Sequence, residues 1–221
     1  MALQSLAKIY LSKTLFFFLF FFLLLPLQVL FHLQTRRFFR TFVTMVSIRK
    51  TSNVYFFTAT NLKWIKLLED DEHKNIIINS LRFLSDNKRV KVLDFVVMPN
   101  HIHLIWQILT PHKNEDVQRD FLKYTAQQIK FSLIKKDSVL LDDILVNAKD
   151  RRYQLWERNP LWFELDNTFT LLQKLNYIHN NPLQNKWLLA SRAEDYLFSS
   201  AKFYKSEKCH FDFLVHYIDV M

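Results

Sequence analysis

Not one of the 221 residues is glycine, where a chain of average composition would carry roughly fifteen. Glycine is the residue that enters positive φ without steric cost, so every left-handed turn here must be built from residues that carry a Cβ. Asparagine and aspartate tolerate that region best. Both are common in this chain, and they are the expected turn residues.

With 50% of residues hydrophobic and only 23% charged, the chain can bury enough apolar surface to offset its conformational entropy, which excludes disorder over most of its length. The length suits one domain of ordinary size with or without an appendage. The single cysteine, Cys209, excludes an internal disulfide framework and any multi-thiolate metal site, and a lone thiol fits a reducing compartment. The net charge of +9 is unevenly spread: residues 1–44 hold five cations and no acid, which leaves +4 for the remainder. The body of the protein is therefore only mildly basic.

Those first 44 residues differ in kind from the rest. Leu15 to Phe31 is nearly all Phe and Leu, interrupted by Pro26 and Gln28 and flanked by Lys8, Lys13, Arg36, Arg37 and Arg40. As a helix it would span roughly 25 Å, just short of a bilayer core. No small-residue cleavage site follows it. Two readings stand: a membrane anchor, or AT-rich DNA translated upstream of a true start at Met45.

From Met45 onward the periodicities are those of a soluble α/β domain. Val54 to Thr60 is rich in aromatic and β-branched residues and reads as a strand. Ile65 to Leu84 carries apolar residues at helical spacing. Strands follow at Val90 to Met98 and His101 to Ile108, joined by a tight Pro99-Asn100 turn. Asp116 to Lys135 is an amphipathic helix, Tyr153 to Glu157 a short fourth strand, and Thr168 to Asn180 a helix stopped by Pro182. This order is α/β (α+β), a ferredoxin-like split βαβ with an antiparallel sheet and an added C-terminal helix. The expected division is a leader over 1–44, a domain over 45–204 and a C-terminal extension over 205–221.

Two local patterns carry chemistry. In Met98-Pro99-Asn100-His101-Ile102-His103-Leu104, strand alternation puts His101 and His103 on one sheet face, expected to point outward, where two imidazoles can share a divalent ion. Neutral imidazole suits zinc, manganese or iron, and further ligands decide among them. Two incidental strand histidines are the alternative. In Asn176-Tyr177-Ile178-His179-Asn180-Asn181-Pro182, a helical wheel groups Leu171, Leu172, Leu175 and Ile178 as the apolar sector and sets Tyr177 in the middle of the polar face. Asn181, one turn on, shares that face and could lend its amide oxygen to the metal. His179 falls in the apolar sector and reads as a packed histidine.

FVVMPNHIHLIW, DFLKYTAQQIK, YQLWE, KLNYIHNNPLQNKW and DYLFSSAKFY, in that order and spacing, resemble the single-tyrosine transposases of the HUH (histidine-hydrophobic-histidine) endonuclease superfamily, in particular the REP-associated tyrosine transposases and their insertion-sequence relatives. The resemblance covers about Val46 to Tyr204. It implies that His101 and His103 bind a divalent metal ion, Mg2+ or Mn2+ in use, that Asn181 completes the metal site, and that Tyr177, carried by the added helix, is the nucleophile. It implies a 5′-phosphotyrosine intermediate, a single-stranded or hairpin DNA partner, and a bacterial cytoplasmic, nucleoid-associated protein acting as a monomer or a homodimer. Many relatives have a glycine after the second motif, where this chain reads Gln184-Asn185-Lys186-Trp187. That departure is expected to alter a turn and leave the site untouched.

A phenol with a pKa near 10 is a poor nucleophile at neutral pH, so such a site needs an activated phosphate and fixed geometry. Lys123, Lys130, Lys135, Lys136, Arg151, Arg152 and Lys174 are the candidate DNA-backbone contacts, while Trp106, Trp156, Trp162 and Trp187 read as core or interface. Three rivals remain: a non-cleaving DNA-binding relative, a membrane-anchored protein of unrelated role resting on residues 15–31, and a histidine-triad hydrolase. The last needs a third alternating histidine where this chain has Ile105.

Overall fold

The computed structural model describes residues 52–206 and 210–220. The leader and Cys209 lie outside the described residues, and among the described residues no helix is long and apolar enough to cross a membrane. Four strands, β1 (Val54–Thr60), β2 (Val90–Val97), β3 (His101–Ile108) and the short Leu161–Glu164, form one antiparallel sheet in the order β2, β3, β1, Leu161–Glu164. Helices α1 (Asp71–Asp86) and α2 (Asn114–Lys135) are the crossovers, which gives the ferredoxin-like split βαβ expected from the element order.

After α2 come the short helix α3 (Leu140–Asp143), a hairpin of β4 (Leu145–Ala148) with β5 (Arg151–Tyr153), then β6, the Leu161–Glu164 strand. Helix α4 (Thr168–Asn180) carries Tyr177, and α5 (Ala201–Ser206) closes the sequence of helices. Strand alternation divides the core. Phe57, Leu104 and Trp106 face Phe121 of α2 on one side, while Phe56 and Ile105 face Leu171 and Ile178 of α4 on the other.

The fourth sheet strand is thus Leu161–Glu164, and the expectation of a strand over 153–157 is corrected. Tyr153 ends the β4/β5 hairpin, and Trp156 makes a single bridge to Asn61 while its indole N–H donates to Thr125 Oγ1 at 3.2 Å. β6 escaped notice because an edge strand of four mostly exposed residues has no buried face to write an alternation. Helix α1 begins at Asp71, six residues later than its apolar spacing suggests, because Asp70 caps it by accepting from Glu72 N at 2.9 Å. Leu67 and Leu68 reach the core from the preceding turn.

Positive φ falls on Asn53, Asp137, Asn147 and Asn159, as the missing glycine requires, and also on Lys63, Trp64, Lys88 and Leu188. The expectation that Asn and Asp supply these turns therefore holds for half of the observed positions.

β2 lies at one edge of the sheet and carries a bulge between Val92 and Asp94. The extra residue switches the strand's parity: Val90 and Val92 before it, and Phe95 and Val97 after it, all face the α1/α2 core. Asp94, paired with Ile105, is thereby turned to the α4 side. The open edge of β2 is covered by later segments, with Val97 N donating to Phe198 O (2.9 Å), Ser200 N to Phe95 O (3.0 Å) and Val215 N to Val92 O (3.0 Å). Phe213 and Leu214, in the expected C-terminal extension, are buried in the α1/α2 core.

Candidate active site

His101 and His103 leave β3 toward α4, opposite Thr60 and Thr58 of β1. Their rings sit 4.8 Å apart, centroid to centroid. They are only 6% and 5% exposed, so the expectation that they point outward is corrected: α4 and the segment after it roof this sheet face. Burial is the main reason that their pKa values fall, to about 4 for His101 and about 3 for His103, with Lys186 adding to the effect on His101 and the neighbouring His101 and Lys174 to that on His103. Both are neutral at pH 7, the state in which imidazole ligates metals.

Hydrogen bonds set which nitrogen is free. Asn100 Nδ2 donates to Trp64 O at 3.1 Å, which fixes the amide so that its Oδ1 accepts from His101 Nδ1 at 2.7 Å. His101 Nε2 is then left with its lone pair available. Thr58 Oγ1 lies 2.7 Å from His103 Nδ1, and where the hydroxyl accepts from that nitrogen it leaves Nε2 of the second ring free.

Asn181 follows the last residue of α4 and is 2% exposed, yet among the described residues its Oδ1 has no hydrogen-bond partner. A buried carbonyl left unpaired costs about 1–3 kcal/mol. It lies beside His101, whose pKa its amide pulls upward against the effect of burial. Among the described residues no three His, Cys, Asp or Glu side chains converge on one point, and this amide is a donor of another kind in the same cavity. Two neutral imidazoles and an orphaned amide oxygen fit a divalent ion of intermediate hardness such as manganese.

Tyr177 stands over the pair, 43% exposed, with its Oη 3.4 Å from His103 Nε2 and the two rings 5.1 Å apart. Lys174, one turn earlier, lays its Nζ against the rings of Phe56 (4.9 Å), Phe163 (5.3 Å) and Tyr177 (5.5 Å). His101, His103, Asn181, Tyr177 and Lys174 line one open cavity of about 280 Å3, together with Trp64, Gln184 and Lys186. The Gln184–Trp187 segment thus belongs to the site. The expectation that its departure alters only a turn is corrected, since Trp187 also packs on His101 at 5.8 Å.

Helix α4 starts where Asn167 Oδ1 caps Thr170 N at 2.9 Å and stops before Pro182, the range its sequence predicts. His179 is packed as expected, with its Nε2 3.1 Å from Asp94 Oδ1 beneath the helix. Ser200 Oγ donates to the same oxygen. Burial pushes the Asp94 carboxyl above the usual range, against the opposing pull of His179 and Ser200. This clasp ties the tyrosine helix to the bulge of β2. The other exposed tyrosine of the helical core, Tyr124, lines a hollow between α1 and α2 with the paired Arg89 and Asp120, and Tyr153 sits at the β5 end.

Of the cations singled out in the sequence, Lys174 is in the cavity. Lys123, Lys130, Arg151 and Arg152 converge on a separate groove of about 470 Å3 between α2 and the β4/β5 hairpin, with Gln127 and Tyr153. Lys136 is committed elsewhere, held by Asp70 and Glu72, and Arg151 is partly neutralised by Asp150. Trp106 and Trp156 are buried, as expected.

No family model and no curated protein matches the chain. Among solved structures, a REP-associated tyrosine transposase bound to a REP hairpin superposes with a TM-score of 0.51 at 17% identity, over 69% of this chain and 78% of that one. This chain has the tyrosine-transposase fold. A candidate transposase from Deinococcus radiodurans R1 also aligns, at 16% identity and a TM-score of 0.41, over 57% of this chain and 88% of its own. Within the transposase fold of this chain, Trp64, Lys186, Asn100 and Thr58 are the site residues that sequence reasoning missed. Only the last three leave any trace in it, as polar residues adjoining or cross-strand from the two motifs.

Proposed function

We propose that the chain is a metal-dependent DNA transposase, or single-stranded DNA endonuclease, in which Tyr177 attacks a phosphodiester. The observation that carries this reading is the 3.4 Å approach of Tyr177 Oη to His103 Nε2 in one cavity with His101 and Asn181. A phenol placed that close to a two-imidazole, one-amide donor set has its electrophile's activator beside it. His101, His103 and Asn181 would hold the ion. When bound, a divalent metal supplies Lewis-acid polarisation of the scissile phosphate.

The remaining steps belong to the chain. Tyr177 Oη forms a bond to phosphorus as the bond from phosphorus to the 3′ oxygen breaks. The phenolic proton passes to solvent at this exposed ring, and the departing 3′ oxygen takes up a proton to become a hydroxyl. A 5′-phosphotyrosine linkage results, and reversal by a 3′-hydroxyl rejoins DNA without ATP. Lys174, in the same cavity, offsets charge building on the attacked phosphate. Lys123, Lys130, Arg151 and Arg152 bind the backbone of a single strand or hairpin away from the cleavage point.

Labelled single-stranded DNA incubated with the protein and Mn2+, then denatured, should give a band shifted by covalent protein. Tyr177→Phe removes one half-exposed hydroxyl, should leave thermal stability within about 0.5 kcal/mol, and should abolish that band. An adduct of normal yield from Tyr177→Phe transfers the role to another tyrosine and overturns the site assignment.

A further inference from the structure

At the mouth of the cavity the chain does something a turn does not need. Lys63 and Trp64 are consecutive residues at positive φ, 53° and 59°, a region in which bulky side chains are outliers. Neighbouring elements pin this backbone in place. Lys63 N donates to Glu157 Oε1 at 2.7 Å, Trp64 N to Asn61 O at 3.0 Å, and Asn100 Nδ2 to Trp64 O at 3.1 Å. Strain so over-determined accumulates at functional sites. The indole gains no burial from it, being 62% exposed. Asparagine would fit the backbone better and a core tryptophan would be covered, so neither turn-making nor packing accounts for the ring.

Its position does. The indole lines the same cavity as His101 and Tyr177, with its ring centroid 6.4 Å from that of His101, and Lys174 and Lys186 line the same space. A free planar π-face beside two cations suits a ligand that alternates planar rings with phosphates. We infer that Trp64 is a stacking platform for one unpaired nucleobase next to the phosphate that Tyr177 attacks, a role that rests on the reading of the site given above. Stacking of this kind accepts any base. Trp64 therefore demands that the nucleotide be unpaired, without selecting its identity.

Two variants separate ring from backbone. Trp64→Asn keeps a residue that tolerates positive φ and loses the ring, and Trp64→Phe keeps a smaller ring. Affinity is measured by fluorescence anisotropy on a labelled single strand without metal, and an abasic position is walked along the strand. Removing one stacked base typically weakens binding about 5- to 150-fold. Trp64→Asn should fall in that range and Trp64→Phe should retain most of the affinity. One abasic position should weaken the wild-type protein to the same extent and Trp64→Asn no further, and the salt dependence of binding should not change. If the wild-type protein forms the covalent adduct and Trp64→Asn binds and cuts as well as it does, the platform is refuted while the reading of the site stands. If the wild-type protein neither binds the strand nor forms an adduct, that reading falls and the platform falls with it. If Trp64→Asn loses affinity but every abasic position adds to the loss, the ring has another role and the inference is overturned.

Discussion

Asn181→Leu should make the metal-free protein more stable while depriving it of its response to metal. The amide oxygen of Asn181 is buried and, among the described residues, unpaired, a condition that costs about 1–3 kcal/mol. Leucine has a similar volume and no polar atom to leave unsatisfied, so metal-free Asn181→Leu should gain about 1–2 kcal/mol. At roughly 2–4 °C per kcal/mol for a protein of this size, its melting temperature in EDTA should rise by about 2–8 °C. With Mn2+ at 100 times its dissociation constant, the wild-type protein should gain about 2.7 kcal/mol by linkage. The variant, reduced to His101 and His103, should gain much less. Differential scanning calorimetry in EDTA and in Mn2+ measures both quantities. A variant that melts several degrees lower in EDTA and keeps the full Mn2+ shift would show that Asn181 is a structural amide, and would remove it from the proposed ligand set.

Two further outcomes follow from buried charge and clustered cations. His101 and His103 have folded pKa values of about 4 and 3, below the 6.5 of the unfolded chain. The unfolded state therefore binds more protons on acidification, and the stability present above pH 6.5 is lost as pH falls toward those values. In EDTA, urea denaturation should show a loss of roughly 2 kcal/mol per imidazole between pH 7 and pH 5, and His103→Gln should shrink it; an equal loss in that variant would refute the assignment. Lys130→Glu with Arg152→Glu should weaken single-strand binding and flatten its dependence on log salt by about one unit per phosphate contact removed, with cleavage of a very short oligonucleotide unchanged. An unaltered salt slope would show that the groove is a solvated surface.

What could be read in the sequence is what local chemistry writes there. Helix α4 runs over the residues its apolar spacing and its proline predict, because the proline signal acts within a few residues of the helix end. His101, His103 and Tyr177 were legible because period two and period 3.6 place side chains on faces without reference to the rest of the chain. Their depth was not, because the roof over the histidines comes from α4 and from Gln184 to Trp187, and covering is a tertiary event. β6 was hidden for the opposite reason: it is exposed and short, so nothing periodic marks it. Trp64 has no periodic signal either, since its place depends on a left-handed turn pinned by Asn100 and Glu157 from distant parts of the chain.

The bulge in β2 acts as an indexing device. By leaving Leu93 out of the pairing it keeps Asp94 opposite Ile105 and aimed at His179, and so holds the place along the sheet where the tyrosine helix is fastened. Deleting Leu93 would leave β2 a more regular strand with a tidier ladder. It would leave Asp94 opposite Ile105 and Phe95 and Val97 on the α1/α2 face. What would exchange the faces of that half of the strand is closing the bulge with Leu93 kept in the ladder, and that would turn Asp94 from His179 and unfasten the helix that presents Tyr177. In this molecule the irregular register lets a strand with one residue in excess keep both of its faces, and the same residues forced into a straight ladder would detune the chemistry.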